Sequence, residues 1–170
     1  RLAYHYWLQT GDVSIFGKDW HEAMKLVVRT FKEQQRKESL GSYSFTRDCD
    51  RPTDSQINNG WGAPVKPVGL IVSSFRPSDD ATQYGFLIPS NMFAVVSLRQ
   101  LAEIEHKVYK NEAFAGECVA LANEVDAAIR KYGIFNHPVC GRIYAFEVDG
   151  FGNALCMDDA NVPSLLAAPY

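Results

Sequence analysis

Apolar side chains fall at helical spacing in four stretches of this chain, and the rhythm breaks between them. A first helix is predicted over residues 2–9, closed by Gly11, because glycine readily takes the left-handed conformation that ends a last turn. After a connector at 11–18, Asp19 offers an N-cap for a second helix reaching about residue 38. Trp20, Ala23, Val27 and Phe31 are its expected inner stripe. Lys32, Glu33, Gln34, Gln35, Arg36 and Lys37 read as its solvated end, and Gly41 as its stop. Ser90 offers the N-cap of a third helix over about 91–110. A fourth spans about 112–132, where Phe114, Cys118, Leu121, Val125, Ile129 and Tyr132 step by three or four up to Gly133. Two consecutive helices with so tight a join predict an antiparallel pair. A last helix is expected to begin near Pro163, proline being favoured in a first turn.

Between the second and third helices the pattern changes. Residues 43–47 alternate like a short strand. Pro52, Asn58, Asn59, Gly60, Gly62, Pro64, Pro67 and Gly69 then break any long element. A connection of this length inside a compact domain is uncommon and often functional. It runs through the apolar stretch 68–74 into Ser73-Ser74-Phe75-Arg76-Pro77-Ser78-Asp79-Asp80-Ala81-Thr82. Further on, Asp149-Gly150-Phe151-Gly152-Asn153 separates 142–148 from 154–157, which predicts a β-hairpin. The fold class is therefore mainly α, with paired helices, long inter-helix loops and a small β-hairpin. Chemistry on such a scaffold usually sits on the loops.

Length and composition narrow this picture. A chain of 170 residues with 46% hydrophobic and 22% charged residues fits one globular domain with a real core. A net charge of −3 argues against a nucleic-acid partner, which usually shows as a basic patch. No stretch approaches the roughly 18–20 apolar residues that span a bilayer. Cys49, Cys118, Cys140 and Cys156 form no C-x-x-C pair, so a zinc or redox motif is not expected, and Cys118 is read as packing. The histidines do not converge, and the serine-hydrolase, zinc-protease and P-loop motifs are absent. The chain opens at Arg1 inside a helical pattern and closes on Pro169-Tyr170 after an apolar run, which reads as an internal fragment of a longer protein.

The chemistry left standing is that of carboxylates. Asp79-Asp80, Glu147-Val148-Asp149 and Asp158-Asp159-Ala160-Asn161 each lie beside turn-forming residues. The bland account is a turn or an N-cap, since Asp and Asn bond their own backbone. The functional account is a hard metal ion held by oxygen ligands, or glycoside hydrolysis by an acid and a second carboxylate. Asp79 beside Asp80 suits a tuned acid if the side chains converge, because a neighbouring anion favours the protonated form. Arg76 would quiet one of them, and a short helix through 80–82, capped by Ser78 or Asp79, would oppose the acid role. From the residues alone the two aspartates cannot be ranked.

Five segments together resemble the metal-independent α-mannosidases of glycoside hydrolase family 125, which include the fungal meiotically up-regulated proteins. They are residues 31–38, 69–82 (with Phe75-Arg76-Pro77-Ser78-Asp79-Asp80-Ala81-Thr82), 89–94, 147–153 and 157–166. The resemblance covers essentially the whole chain. It implies an (α/α)₆ barrel, incomplete in this fragment, with residues 1–170 as the central part of one catalytic domain. It also implies exo-acting hydrolysis of α-1,6-linked mannose with inversion, and neither metal nor cofactor. The general acid falls on Asp79 or Asp80. The family's base is a glutamate expected beyond Tyr170, and other sugar-binding motifs are expected before Arg1, so the fragment alone should be inactive. Glu147, Asp149, Asp159 and Asn161 become candidates to bind mannose hydroxyls or to brace the acid, Trp61 becomes a candidate platform near the site, and Arg76 a candidate to bind substrate. The expected partner is an α-mannoside oligosaccharide or mannosylated glycan. Both cytoplasmic and secretory settings stay open, as does the oligomeric state. Two other readings compete: an inactive carbohydrate-binding protein on the same barrel, and a metal-dependent hydrolase using the Asp clusters.

Overall fold

The computed structural model describes residues 1–168. Helix α1 spans Leu2–Thr10 and ends at Gly11, whose φ of 71° is the left-handed cap expected of it. Helix α2 spans Lys18–Gln34 and starts one residue earlier than expected, with Gly17 as N-cap and Asp19 in the first turn. It also stops earlier, and Arg36 takes a φ of 53°. Its inner face is Trp20, Met24, Val28 and Phe31, while Ala23 and Val27 are exposed. The expected stripe was rotated because the true one includes Met24 and Val28, one position along. Gln34, Gln35 and Arg36 are buried rather than solvated. The side chains of Gln35 and Arg36 serve the backbone: Gln35 Nε2 donates to Gly69 O at 2.8 Å, and Arg36 Nη1 to Trp61 O at 2.9 Å.

The long connection carries a 3₁₀ turn (Pro52–Asp54) and a single turn, α3 (Ile57–Gly60). Within α3, Asn58 and Asn59 have left-handed φ values near 50°, a conformation asparagine tolerates better than most residues. Residues 43–47 form no strand. Strand β1 (Phe86–Leu87) leads straight into helix α4 (Ile88–Ile104), with Leu87 as N-cap and Pro89 in the first turn, so Ser90 lies inside the helix. The helix ends in a π-helical turn, Glu105–Tyr109, where a third α-helix continuing to residue 110 was expected. Helix α5 spans Glu112–Tyr132, capped by the Asn111 side chain accepting from Phe114 N–H. Helices α4 and α5 pack along one another as the expected pair. Cys118 is fully buried between them, and burial pushes its thiol up to about 12.

The β-structure is richer than expected. Strands β2 (Ile134–His137) and β3 (Gly141–Tyr144) make one hairpin, which the sequence reading missed. Strands β4 (Glu147–Val148) and β5 (Ala154–Leu155) make the other, and β4 also pairs with β1, giving the order β1-β4-β5. The predicted strand over 142–148 is thus split between two sheets. No helix forms from Pro163 to residue 168, only bends and turns; Pro169 and Tyr170, on which that expected helix would run out, lie outside the described residues.

The core lies where α4, α5, the apolar stretch around Leu70–Ile71–Val72 and β1/β4 meet, with Val28 of α2 sealing one side. The stretch 70–72 forms no strand: the Asn91 side chain pairs with the backbone of Ile71, and Gln34 O accepts from Val72 N–H. Buried Asn91 accepts from Ile71 N–H at 2.8 Å and donates to both Ile71 O and Leu87 O at 2.9 Å. Asn91→Ala removes three hydrogen bonds to buried backbone groups and is expected to destabilise the protein by about 2 kcal/mol. Urea unfolding of the variant against the parent measures this; a loss below a few tenths would mean that water replaces the amide.

Candidate active site

The residues Arg76 to Asp80 form a tight hairpin tip. Arg76 N–H donates to Asp80 O at 2.8 Å, and Asp79 N–H donates back to Arg76 O at 3.0 Å. The loop between is Pro77-Ser78-Asp79. Proline pre-sets the first corner, and Asp79 closes the loop with φ 69°, the left-handed residue that three-residue hairpin loops need. Phe75 and Ala81 bridge below it. The expected short helix at 80–82 is therefore absent, and with it the helix-terminus argument against an acid role. The like charges sit together because the turn requires an αL-tolerant residue next to a pairing one.

The two carboxylates differ in surroundings. Asp79 is at the tip, its side chain 76% exposed, with Arg47 Nη2 at 3.5 Å from Oδ2. Asp80 is half-buried, and its Oδ2 accepts from Ser78 Oγ at 3.0 Å. Arg47 was missed by the sequence reading. Its guanidinium lies over the rings of Phe45 and Phe75, 5.7 and 5.9 Å from their centroids, and its Nε donates to Asp54 O. The alternating Tyr43-Ser44-Phe45-Thr46-Arg47 was its only signal, and it suggested a strand.

Beneath the hairpin lies Glu147 of β4, fully buried. Its Oε1 accepts from Arg76 Nε at 2.6 Å, and its Oε2 accepts from the N–H groups of Gln83 and Tyr84, each at 2.9 Å. Arg76 is itself nine-tenths buried and lies over the Phe146 ring. Asp159 reaches the tip from the other side: its Oδ2 accepts from Ser78 N–H at 3.2 Å, while Oδ1 accepts from Asn161 N–H and Nδ2. Although burial raises it, these bonds hold the Asp159 carboxyl below the ordinary range. The structure thus gathers Arg76, Asp79, Asp80, Glu147, Asp159 and Asn161 around one hairpin.

Asp149 and Trp61 stand on adjoining loops. Asp149 Oδ1 accepts from Phe151 and Asn153 N–H, and Oδ2 from Asn153 Nδ2 at 2.6 Å. Burial raises the Asp149 carboxyl but these bonds outweigh it, leaving it below the usual range. Gly150 is required here: φ is 81°, and a Cβ would meet Lys66 O at 2.5 Å. Trp61 is half-buried on the loop after α3, whose neighbour Gln56 donates to Ser74 O at the hairpin's base. An apolar groove of about 520 Å³ between α2 and α4, lined by residues such as Met24, Val28, Phe31 and Phe93, contains none of these carboxylates. Among the described residues no three His, Cys, Asp or Glu side chains gather to hold a metal ion, and no helix is long and apolar enough to cross a membrane.

Known proteins are similar to this chain in sequence and in fold. The family model described as metal-independent alpha-mannosidase (GH125) matches residues 1–170. The meiotically up-regulated gene 157 protein of Schizosaccharomyces pombe is 39% identical over 179 residues, covering 100% of this chain and 35% of the fungal protein. A metal-independent alpha-mannosidase structure from Streptococcus pneumoniae, a non-productive substrate complex with α-1,6-mannobiose, is 43% identical with a TM-score of 0.94. That likeness covers 99% of this chain and 40% of the bacterial one. The chain thus spans well under half the length of these relatives.

Proposed function

Because this chain belongs to the metal-independent α-mannosidases of glycoside hydrolase family 125, we propose that it carries the acid half of an inverting exo-α-1,6-mannosidase. On this reading residues 1–170 are the central part of one catalytic domain built as an (α/α)₆ barrel. The observation that carries the proposal is the hairpin tip: two carboxylates in unlike surroundings, presented on a loop whose base is locked by buried bonds. Asp80 donates its proton to the glycosidic oxygen as the bond from that oxygen to the anomeric carbon breaks. Asp80 is the half-buried member of the pair, held by the Ser78 hydroxyl on the ribbon below the tip, whereas Asp79 stands exposed at the tip with the Arg47 guanidinium beside it. Water attacks the opposite face and gives its proton to a carboxylate outside this chain, since an inverting pair stands about 6.5–9.5 Å apart. Sequence neighbours like Asp79 and Asp80 do not flank a sugar that way. On this reading Asp159 with Asn161, Asp149 and Trp61 bind the sugar, supported by their standing on the loops at and beside the hairpin.

The experiment is hydrolysis of α-1,6-mannobiose by the full-length protein in excess chelator, with anomeric protons followed by NMR from the first minutes. Early β-mannose is expected. Early α-mannose would refute inversion, and loss of activity on chelation would favour metal-dependent hydrolysis by the aspartate clusters. No release by folded protein would favour the carbohydrate-binding reading.

A further inference from the structure

We infer that Glu147 and Arg76 are positioning residues that aim the proton donor, and that neither is a ligand for the sugar. This rests on the mannosidase reading above. Both oxygens of Glu147 are spent within the chain: one on Arg76, which opens the hairpin, and the other on the N–H groups of Gln83 and Tyr84, which follow it. A single buried carboxylate therefore ties the two arms of the acid hairpin together below its tip. It does so from β4, the middle strand of the three-stranded sheet, so the hairpin is fastened to a rigid element. With a side-chain exposure of 0%, Glu147 offers no oxygen to a mannose hydroxyl. Arg76 adds a second tie, since its own N–H closes on Asp80 O. Its side chain is held over the Phe146 ring, the residue before Glu147. Charge-assisted bonds of this kind are short and directional, and they set the height and rotation of the loop that carries Asp80. A proton donor displaced by about 1 Å can lose about 10²-fold in rate.

The distinguishing property of an acid-positioning residue is dependence on the leaving group. The mannose that mannobiose releases as leaving group would depart as an alkoxide and needs a proton; a 2,4-dinitrophenolate leaves without one. The full-length protein and its Glu147→Gln variant are compared on α-1,6-mannobiose and 2,4-dinitrophenyl α-mannoside, with circular dichroism as the folding check. Expected for the variant is a kcat on mannobiose lowered about 10²-fold, KM within about threefold, and near-parental activity on the dinitrophenyl substrate. Arg76→Lys, which keeps the charge but not the planar fork, should show the same split and serves if Glu147→Gln does not fold. Equal losses on both substrates in a folded variant overturn the inference, as does a raised KM with unchanged kcat, which would mark a sugar ligand. If the parent protein hydrolyses neither substrate, the mannosidase reading itself fails; if the parent is active and the variant shows no split, only the positioning role fails.

Discussion

Asp80→Asn is expected to lower kcat on α-1,6-mannobiose by about 10²–10⁴-fold, the usual range for removing a general acid, while Asp79→Asn changes it only a few-fold. The pair of variants is well matched. Asn keeps the size of Asp and tolerates the left-handed φ at position 79, so neither change should disturb the turn. Asp80→Asn keeps a partner for the Ser78 hydroxyl and removes only the titrating oxygen. Steady-state kinetics across pH should show the acidic requirement at high pH disappear in the Asp80 variant. Restored rates on a substrate that leaves without a proton would identify the missing function as proton donation. If the large loss appears at Asp79, the donor is the tip residue and Arg47 must move away from it when substrate binds. If neither loses more than a few-fold, the hairpin is not the acid.

His21→Ala is expected to destabilise the protein by about 3 kcal/mol near pH 8, and by less near pH 5. Glu105 is fully buried at the start of the π-helical turn, and His21 Nε2 lies 3.0 Å from its Oε2. The imidazole also stacks on Tyr109 at 4.2 Å. Burial pushes the Glu105 carboxyl above its ordinary range, while His21 and, more weakly, Lys25 draw it down. Tyr109, half-buried and beside that carboxylate, is pushed up to about 12 by its desolvation and by the Glu105 charge. The sign follows from the raised folded value. Stability from Glu105 is fully present below the ordinary carboxylate range and is lost as pH rises through the folded value, where a buried charge must form. Removing His21 deepens that loss, so urea midpoints at the two pH values should diverge more in the variant than in the parent. Glu105→Gln in the same background should remove the divergence. An equal deficit at both pH values would show that His21 acts by packing on Tyr109 alone.

How much of this was legible from residues alone depends on range. Helix α5 was readable to the residue because its apolar step is regular and Asn111 and Gly133 flank it with strong end signals. Helix α2 was misread at its end because Gln34, Gln35 and Arg36 look solvated yet are buried, the last two turning inward to satisfy distant backbone groups. No local pattern reveals that. The hairpin β2–β3 was missed because helix-stopping Gly133 and the turn around Pro138 drew attention away from a short, half-exposed pair. At the site, the hairpin's carboxylates announced themselves through proline and paired aspartates. Glu147 was visible only as a carboxylate in a strand; its grip on positions 76, 83 and 84 spans more than sixty residues of sequence. Arg47 had only the misleading signal of an alternating stretch, because its value lies in the rings of Phe45 and Phe75 that hold it.

The three-residue loop at the hairpin tip also works as a ruler. Between Arg76 and Asp80 the chain has room for three residues and no more, since the two ends bond each other directly. Adding or deleting one residue there would turn the following side chain to the opposite face of the ribbon. For anyone recombining segments among relatives or grafting this loop elsewhere, length at 77–79 is therefore stricter than identity. Whatever residues fill the loop, the count from arginine to aspartate cannot change.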